Sequence, residues 1–377
     1  MIEKSQKKLN VVLLHDWLTG FRGGERVLEV FCEMFPEAPI YTLLHQKGST
    51  SDIIESRTIK TSFLNWIPGI HKHYRKFLPL MPLAASRLHI SEDADLVLSS
   101  SHCVIKGVTK PKDSKHISYI HSPMRYIYDQ FEVYFGAHAP FYQRFGAKLF
   151  RNYLTKWDLN SNKNVDYPIA NAEFVRERIT KHYNISSDVV HPFVDLKDFV
   201  SPTAPTKEDY FIMVTAFAPN KRVDLAIKTF NKLKLPLKII GGGQEEERLR
   251  DLAGATIEFL GNVSREDVVT RFKKARALIF PGVEDFGITP LESLASGTPV
   301  IAFRKGGVLE TLNENVAVFF DEQNEASLSQ ALHKFIENEH QFDHAVLVKR
   351  ANDFSKEAFR KNIEQIVSDV LGNSSSL

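Results

Sequence analysis

The chain has 377 residues, 43% of them apolar, and carries 48 Lys and Arg against 46 Asp and Glu, a net charge of +2. That length suits two domains of roughly 150–200 residues each, and so even a charge balance does not predict nucleic-acid binding from whole-protein electrostatics. The two cysteines, Cys32 and Cys103, sit in apolar contexts and read as reduced core thiols of a cytosolic protein, not as a disulfide or a metal set.

The opening MIEKSQKKLN is followed by only about four apolar residues before His15-Asp16, too few for a signal peptide or a spanning helix. No later apolar run approaches a membrane span. The expectation is a cytoplasmic protein, attached to a membrane surface at most. Residues 10–14 read as a buried strand, 15–24 as the loop after it, and 25–35 as a helix with Val27, Leu28, Val30, Phe31 and Met34 on its inner side. A strand, a loop ending in Gly23-Gly24 and a helix start let bare backbone approach a phosphate; a simple tight turn would look the same. A second strand is expected at 40–44. Residues 56–91 contain no acid, and interleave Arg57, Lys60, Lys72, Arg75, Lys76 and Arg87 with aromatic and apolar side chains. Such a stretch suits anionic headgroups or a lipid diphosphate, or is a helix with a core face and a solvated basic face. Asp93-Ala94-Asp95 stands at the entering end of the strand 96–100, where such acids start a strand instead of holding a metal. Ser99-Ser100-Ser101-His102 leaves at the ligand edge. The strand 116–120 ends at His121, whose side chain can enter a site there, and Arg125, one turn on, could bind an anionic acceptor group. Residues 133–157 are a second acid-free, aromatic and basic stretch, a face for lipid or a long docked helix.

The polar, proline-bearing residues 201–209 read as an interdomain linker, after which the pattern restarts with a strand at 210–215. Lys221 and Arg222 open the next helix, where two cations oppose the helix dipole unless an anion sits there. Strands follow at 237–240, before Gly241-Gly242-Gly243, and at 257–263. The apolar run 277–280 leads into a loop with Glu284, then a helix that Thr289-Pro290 can open and that carries Glu292. Phe286-Gly287-Ile288 between the two acids lets backbone amides come close to a ligand. Gly297-Thr298-Pro299 stops that helix, 300–303 is the next strand, and Gly306-Gly307 starts another loop. In open parallel sheets this carboxyl edge is where ligands bind.

The string EDFGITPLESLASGTPVIA, followed by KGGVLETL, resembles the donor-site signature of the retaining glycosyltransferases of family 4. The strings HDWLTGFRGGERVLE and YIHSPMRY resemble the same family, and the similarity covers nearly the whole chain. It implies an α/β GT-B fold: two Rossmann-like domains facing each other across a cleft. Residues 1–200 would form the acceptor-side domain and 201–355 the donor-binding domain. The helix 356–371 would cross back onto the first domain, and 372–377 would be a disordered tail. The resemblance further implies that Glu284 holds hydroxyls of the donor sugar, Glu292 the ribose hydroxyls, Lys221 a phosphate, and backbone near Val263 the base. Gly23 and Gly24 would lie beside the diphosphate, and His121 beside the sugar. The family's usual Gly-Arg pair after the first strand of the second domain is absent: Thr215-Ala216 stands there, and Arg222 would take over part of its charge. HDWLTG, SSSHC, HSPMRY and PNKRVDLAI are closest to bacterial members that transfer mannose in polysaccharide assembly.

The expected activity is therefore transfer of a hexosyl group from a nucleoside diphosphate sugar, GDP-mannose first, to a saccharide or lipid-diphosphate-linked saccharide, without cofactor or metal. A UDP-hexose donor, a nucleotide-sugar epimerase on the same fold, and a non-catalytic nucleotide-sugar-binding scaffold stay open as alternatives.

Overall fold

The computed structural model describes residues 9–129, 131, 141–200 and 203–372. The N-terminal decapeptide, the acid-free stretch 133–157, the linker 201–209 and the tail 372–377 therefore lie partly outside the described residues. The chain divides into two units, Met1–Val190 with Arg360–Leu377, and His191–Phe359.

The first unit is built on a sheet of β1 (Val11–His15), β2 (Ile40–Thr42), β3 (Ile59–Thr61), β4 (Leu96–Ser101), β5 (Lys115–Ile120), β6 (Tyr167–Ala170) and β7 (Asp188–Val189). Its order is β3-β2-β1-β4-β5-β6-β7, with every pairing parallel. The second unit holds β8 (Phe211–Val214), β9 (Leu237–Ile240), β10 (Ile257–Gly261), β11 (Leu278–Phe280), β12 (Val300–Phe303) and β13 (Ala317–Phe320), ordered β10-β9-β8-β11-β12-β13 and again all parallel. Each sheet thus reverses direction once, between β1 and β4 and between β8 and β11. That reversal opens a crevice at the carboxyl ends of the strands. The strands are near-continuous apolar runs because helices cover both faces of a parallel sheet. Leu13, Leu14, Val97 and Leu98 are fully buried in one sheet, and Ile239, Leu278, Val300 and Ile301 in the other.

The expected boundaries move. The division falls after Val190 and after Phe359, not after residues 200 and 355. Residues 191–200 pack on the second unit: the Phe193 ring meets Phe359, Phe199 meets Phe272, and Val194 N–H donates to Phe354 O at 3.1 Å. Polar composition at 201–209 suggested a linker, yet Lys207 Nζ donates to Thr298 Oγ1 at 2.6 Å inside that unit. The helix expected at 25–35 runs Gly23–Met34, because Arg22 N–H donates to the Glu25 carboxylate at 2.9 Å and caps it. The helix carrying Glu292 is Ile288–Ala295, capped by Gly287 at φ 94° and not opened by Thr289-Pro290. Cys32 and Cys103 are buried and free, and burial pushes the Cys32 thiol up to about 12.

A long helix, Phe141–Ser161, docks on the first unit through a buried ionic network. Lys106 Nζ donates to Asp158 Oδ1 at 2.7 Å and to Ser161 Oγ at 2.6 Å. The Tyr128 and Tyr183 hydroxyls donate to Asp158 Oδ2 at 2.9 and 2.8 Å. A buried ion pair is tolerable only with such additional hydrogen bonds. Among the described residues no helix is long and apolar enough to cross a membrane.

Candidate active site

In the first unit the polar residues converge where β1 and β4 part. His15 ends β1 and lies opposite Ser100 of β4 in the register. The Asp16 carboxylate, fully buried, accepts four backbone N–H groups of the loop after β4: His102 and Cys103 on Oδ2 at 2.7 and 2.9 Å, Val104 and Ile105 on Oδ1 at 2.8 Å each. Asp16 therefore shapes the floor of the site instead of facing a ligand.

His121 follows β5. Its ring Nε2 is 2.8 Å from Ser100 Oγ, and its backbone N–H donates to Ser101 O at 2.8 Å. Burial, reinforced by the neighbouring His102 and His15, lowers its pKa to about 3, so the imidazole is neutral at physiological pH. A Cβ on Gly24 would stand 3.3 Å from His15 Cε1, a tight contact, and 3.7 Å from His121 Nε2, an ordinary one, so the helix start lies against both rings. Both His15 ring nitrogens are buried without a hydrogen-bond partner among the described residues, and Nε2 lies 3.8 Å from Glu25 Oε1. Gly23, Gly24 and His121, expected as site residues, are thus brought together. Arg125 is half-buried in the turn after β5. That turn is pinned by Arg178, which donates to Pro123 O at 3.2 Å, to Asp129 at 2.7 Å and to Ser122. Asp95 and Asp93 do not line this edge: the Asp95 carboxylate accepts Asn10 N–H at 3.0 Å and ties the start of β4 to β1.

In the second unit the corresponding crevice lies between β8 and β11. Three loops close on one another there, and each closure uses a glycine. A Cβ on Gly282 would be 2.7 Å from Asn220 O and 2.9 Å from Lys221 Cα; one on Gly306 would be 2.6 Å from Glu284 O; one on Gly307 would be 2.0 Å from Asp285 O. Gly307 N–H donates to Glu284 O at 2.9 Å. The consequence is an ion pair between Lys221 and Glu284, whose side chains are 18% and 24% exposed and so remain open to a ligand. Arg222, at φ 52° before the helix Val223–Leu233, pairs with Asp224 at 3.3 Å. The cations foreseen as needing an external anion are therefore matched by Glu284 and Asp224. A ligand phosphate would exchange with carboxylates rather than fill a charge vacancy.

Glu292 is the fifth residue of the helix Ile288–Ala295, and its Oε1 lies 3.8 Å from Arg265, an arginine that spacing did not single out. Arg265 also pairs with Asp198 at 2.8 Å. Phe286 is buried and stacks on His191, with ring centroids 5.6 Å apart, so at 286 the side chain is turned away and the backbone is what remains for a ligand. Ile288 and Gly287 supply the free end of that helix, and Val263 is half-buried in the turn after β10. Ser100 was placed at the ligand edge by the sequence analysis; Arg265 and the roles of His15, Gly282, Gly306 and Gly307 escaped it. Only the glycine pairs left a signal there.

Two Rossmann-ordered parallel units, each with its polar residues at the point where strand order reverses, make this a GT-B fold. Among solved structures the chain is similar to sucrose-phosphate synthase from Thermosynechococcus elongatus, with a TM-score of 0.73, 17% identity, and 96% of this chain and 99% of that one covered. It is also similar to Anabaena HepE in complex with UDP and glucose, with a TM-score of 0.68, 13% identity, and 96% and 99% covered. Residues 195–361 match the family described as glycosyl transferases group 1. The O-antigen chain mannosyltransferase RfbU of Salmonella typhimurium is 30% identical over 251 residues, 62% of this chain and 67% of that protein. Human alpha-1,3/1,6-mannosyltransferase ALG2 is 24% identical over 245 residues, 55% of this chain and 59% of that protein. The chain belongs to the glycosyl transferases group 1 family.

Proposed function

We propose that the protein transfers a hexosyl group from a nucleoside diphosphate sugar to a saccharide or lipid-diphosphate-linked saccharide hydroxyl, with retention of anomeric configuration. The donor is GDP-mannose before a UDP-hexose, and the product enters cell-surface polysaccharide. The observation that carries this reading is the Lys221–Glu284 pair at the β8/β11 crevice, with Glu292 on the helix that follows. Two relatives named as mannosyltransferases support the choice of sugar.

Each group then has a task its chemistry suits. A diphosphate entering beside Lys221 and Arg222 takes their positive charge and releases Glu284. The Glu284 carboxylate, an acceptor with two oxygens, then orients sugar hydroxyls. Glu292 accepts the paired ribose hydroxyls, and backbone groups at Val263 and at 286–288 meet the base and the sugar. In the first unit, the Gly23-Gly24 amides at a helix start suit a phosphate group. Neutral His121, fixed by Ser100, suits a sugar hydroxyl, and Arg125 an anionic group of the acceptor. As the anomeric carbon–oxygen bond breaks, charge builds on the leaving phosphate, where Lys221 and Arg222 stabilise it. That phosphate takes the acceptor's proton on the same face. No metal is required in this scheme.

The test is calorimetric titration with GDP-mannose, UDP-glucose and UDP-N-acetylglucosamine, with and without EDTA. GDP-mannose binding that EDTA leaves unchanged, and that Glu292→Ala weakens by about 10- to 100-fold through loss of charge-assisted hydrogen bonds, is expected. Binding lost on chelation, or unaltered in Glu292→Ala, would overturn the assignment. Altered free hexose released without any acceptor would identify an epimerase instead.

A further inference from the structure

The acid-free stretch 56–91 and residues 144–157 of the second such stretch take no part in the site just described, but the fold brings them together. Lys76, Phe77 and Leu80 from the first and Leu149, Phe150 and Tyr153 from the second line one open groove. On the helix Phe141–Ser161, Phe145 and Leu149 are each 64% exposed and Tyr153 is 43% exposed. Spaced four apart, they form one stripe. The opposite side holds Leu154 and Asp158, both buried and held by the Lys106 network. The stripe therefore faces outward by construction. Lys148 and Lys156 are exposed beside it, and Lys72, Arg75, Lys76 and Arg87 are exposed on the first stretch. Leu80 and Leu83 add exposed apolar surface there.

We propose that this face of the first unit docks on an anionic lipid bilayer. Apolar side chains that enter the acyl boundary, flanked by lysines and arginines at headgroup level, are the pattern of an interfacial helix. In a chain with almost as many acids as bases, neither stretch contains an Asp or Glu. Charge also argues against a second copy as the occupant. A two-fold interface sets a patch against itself, and here that would oppose like charges. The proposal does not depend on the donor assignment.

The experiment is co-sedimentation of the full chain with phosphatidylcholine vesicles, with and without phosphatidylglycerol. Binding is expected only with the anionic lipid, and it should fall as salt is raised. Lys72→Gln with Lys76→Gln should weaken binding on the order of tenfold. Phe145→Ser with Leu149→Ser should abolish it while the melting temperature stays at its wild-type value, because both side chains are exposed. Equal binding to both vesicle types, no binding, or binding that survives Phe145→Ser with Leu149→Ser overturns the proposal. A wild-type dimer that this variant separates into monomers overturns it too, and makes the face an interface between copies.

Discussion

Asp16 shows how a residue without chemistry of its own can make a site. Four backbone N–H groups of the loop after β4 converge on its carboxylate, and that loop carries His102 against His15 and Trp17. Glu25 does comparable work at the start of the helix Gly23–Met34. Burial opposes its charge, but the nearby His15 ring and local backbone outweigh burial and hold the carboxyl at about 2, down from 4.5. A carboxylate whose pKa is lowered by folding stabilises the fold above its unfolded value. Here the contribution is complete above about pH 4.5 and is lost as pH falls toward 2, on the order of 3 kcal/mol in all. Chemical denaturation from pH 6 to pH 2 should therefore find the stability gap between wild type and Glu25→Gln closing as pH falls. A gap independent of pH would sink this account. The sequence placed both residues in a loop and a helix start, but one carboxylate among 46 acids looks like any other until burial assigns its partners.

At the scale of elements, the glycines of the second unit decide whether neighbouring loops can touch. Gly241 has φ 133°, and a Cβ there would lie 1.9 Å from Thr215 O. Thr215 belongs to the loop after β8, where the family's Gly-Arg pair is replaced. Gly261 also has positive φ, 67°, but nothing within 4 Å of its Cβ position. Gly261→Ala carries only the backbone cost, about 1 kcal/mol. Gly241→Ala adds a collision with backbone that cannot move aside, for a total of about 3 kcal/mol or more. Urea denaturation of the two variants distinguishes these terms, and equal losses would refute the crowding argument. The glycine triplet was legible as a bare loop after a strand. What it accommodates was not, because the loop after β8 reaches it only through the pairing of β8 with β9, which the glycines do not encode.

For the whole molecule, the division after Phe359 assigns most of the last helix, Lys356–Leu371, to the first unit. Ile363 and Val367 are fully buried and Ile366 is 9% exposed. Ending the chain at Phe359 removes those side chains from the first unit's core, at a cost on the order of 5 kcal/mol. Denaturant unfolding, followed by hydrogen exchange in each unit, should show the first unit's midpoint lowered and the second's little changed. An unmoved first unit would mean that the helix adds nothing to its core. The helix itself was expected from the family resemblance. The boundary near residue 200 was misjudged because polar, proline-bearing composition marks a surface segment without saying which unit it packs on.

Apolar runs, glycine pairs and helix starts are local signals, set by the chemistry of neighbouring residues. They were enough for two parallel α/β halves and for Lys221, Glu284, Glu292, Gly24 and His121 as residues of interest. The tertiary structure alone decided that Lys221 pairs with Glu284, that His121 is neutral against Ser100, and that two distant basic stretches share one groove. Those outcomes depend on strand order and burial, which join residues far apart in the chain and which no local pattern encodes.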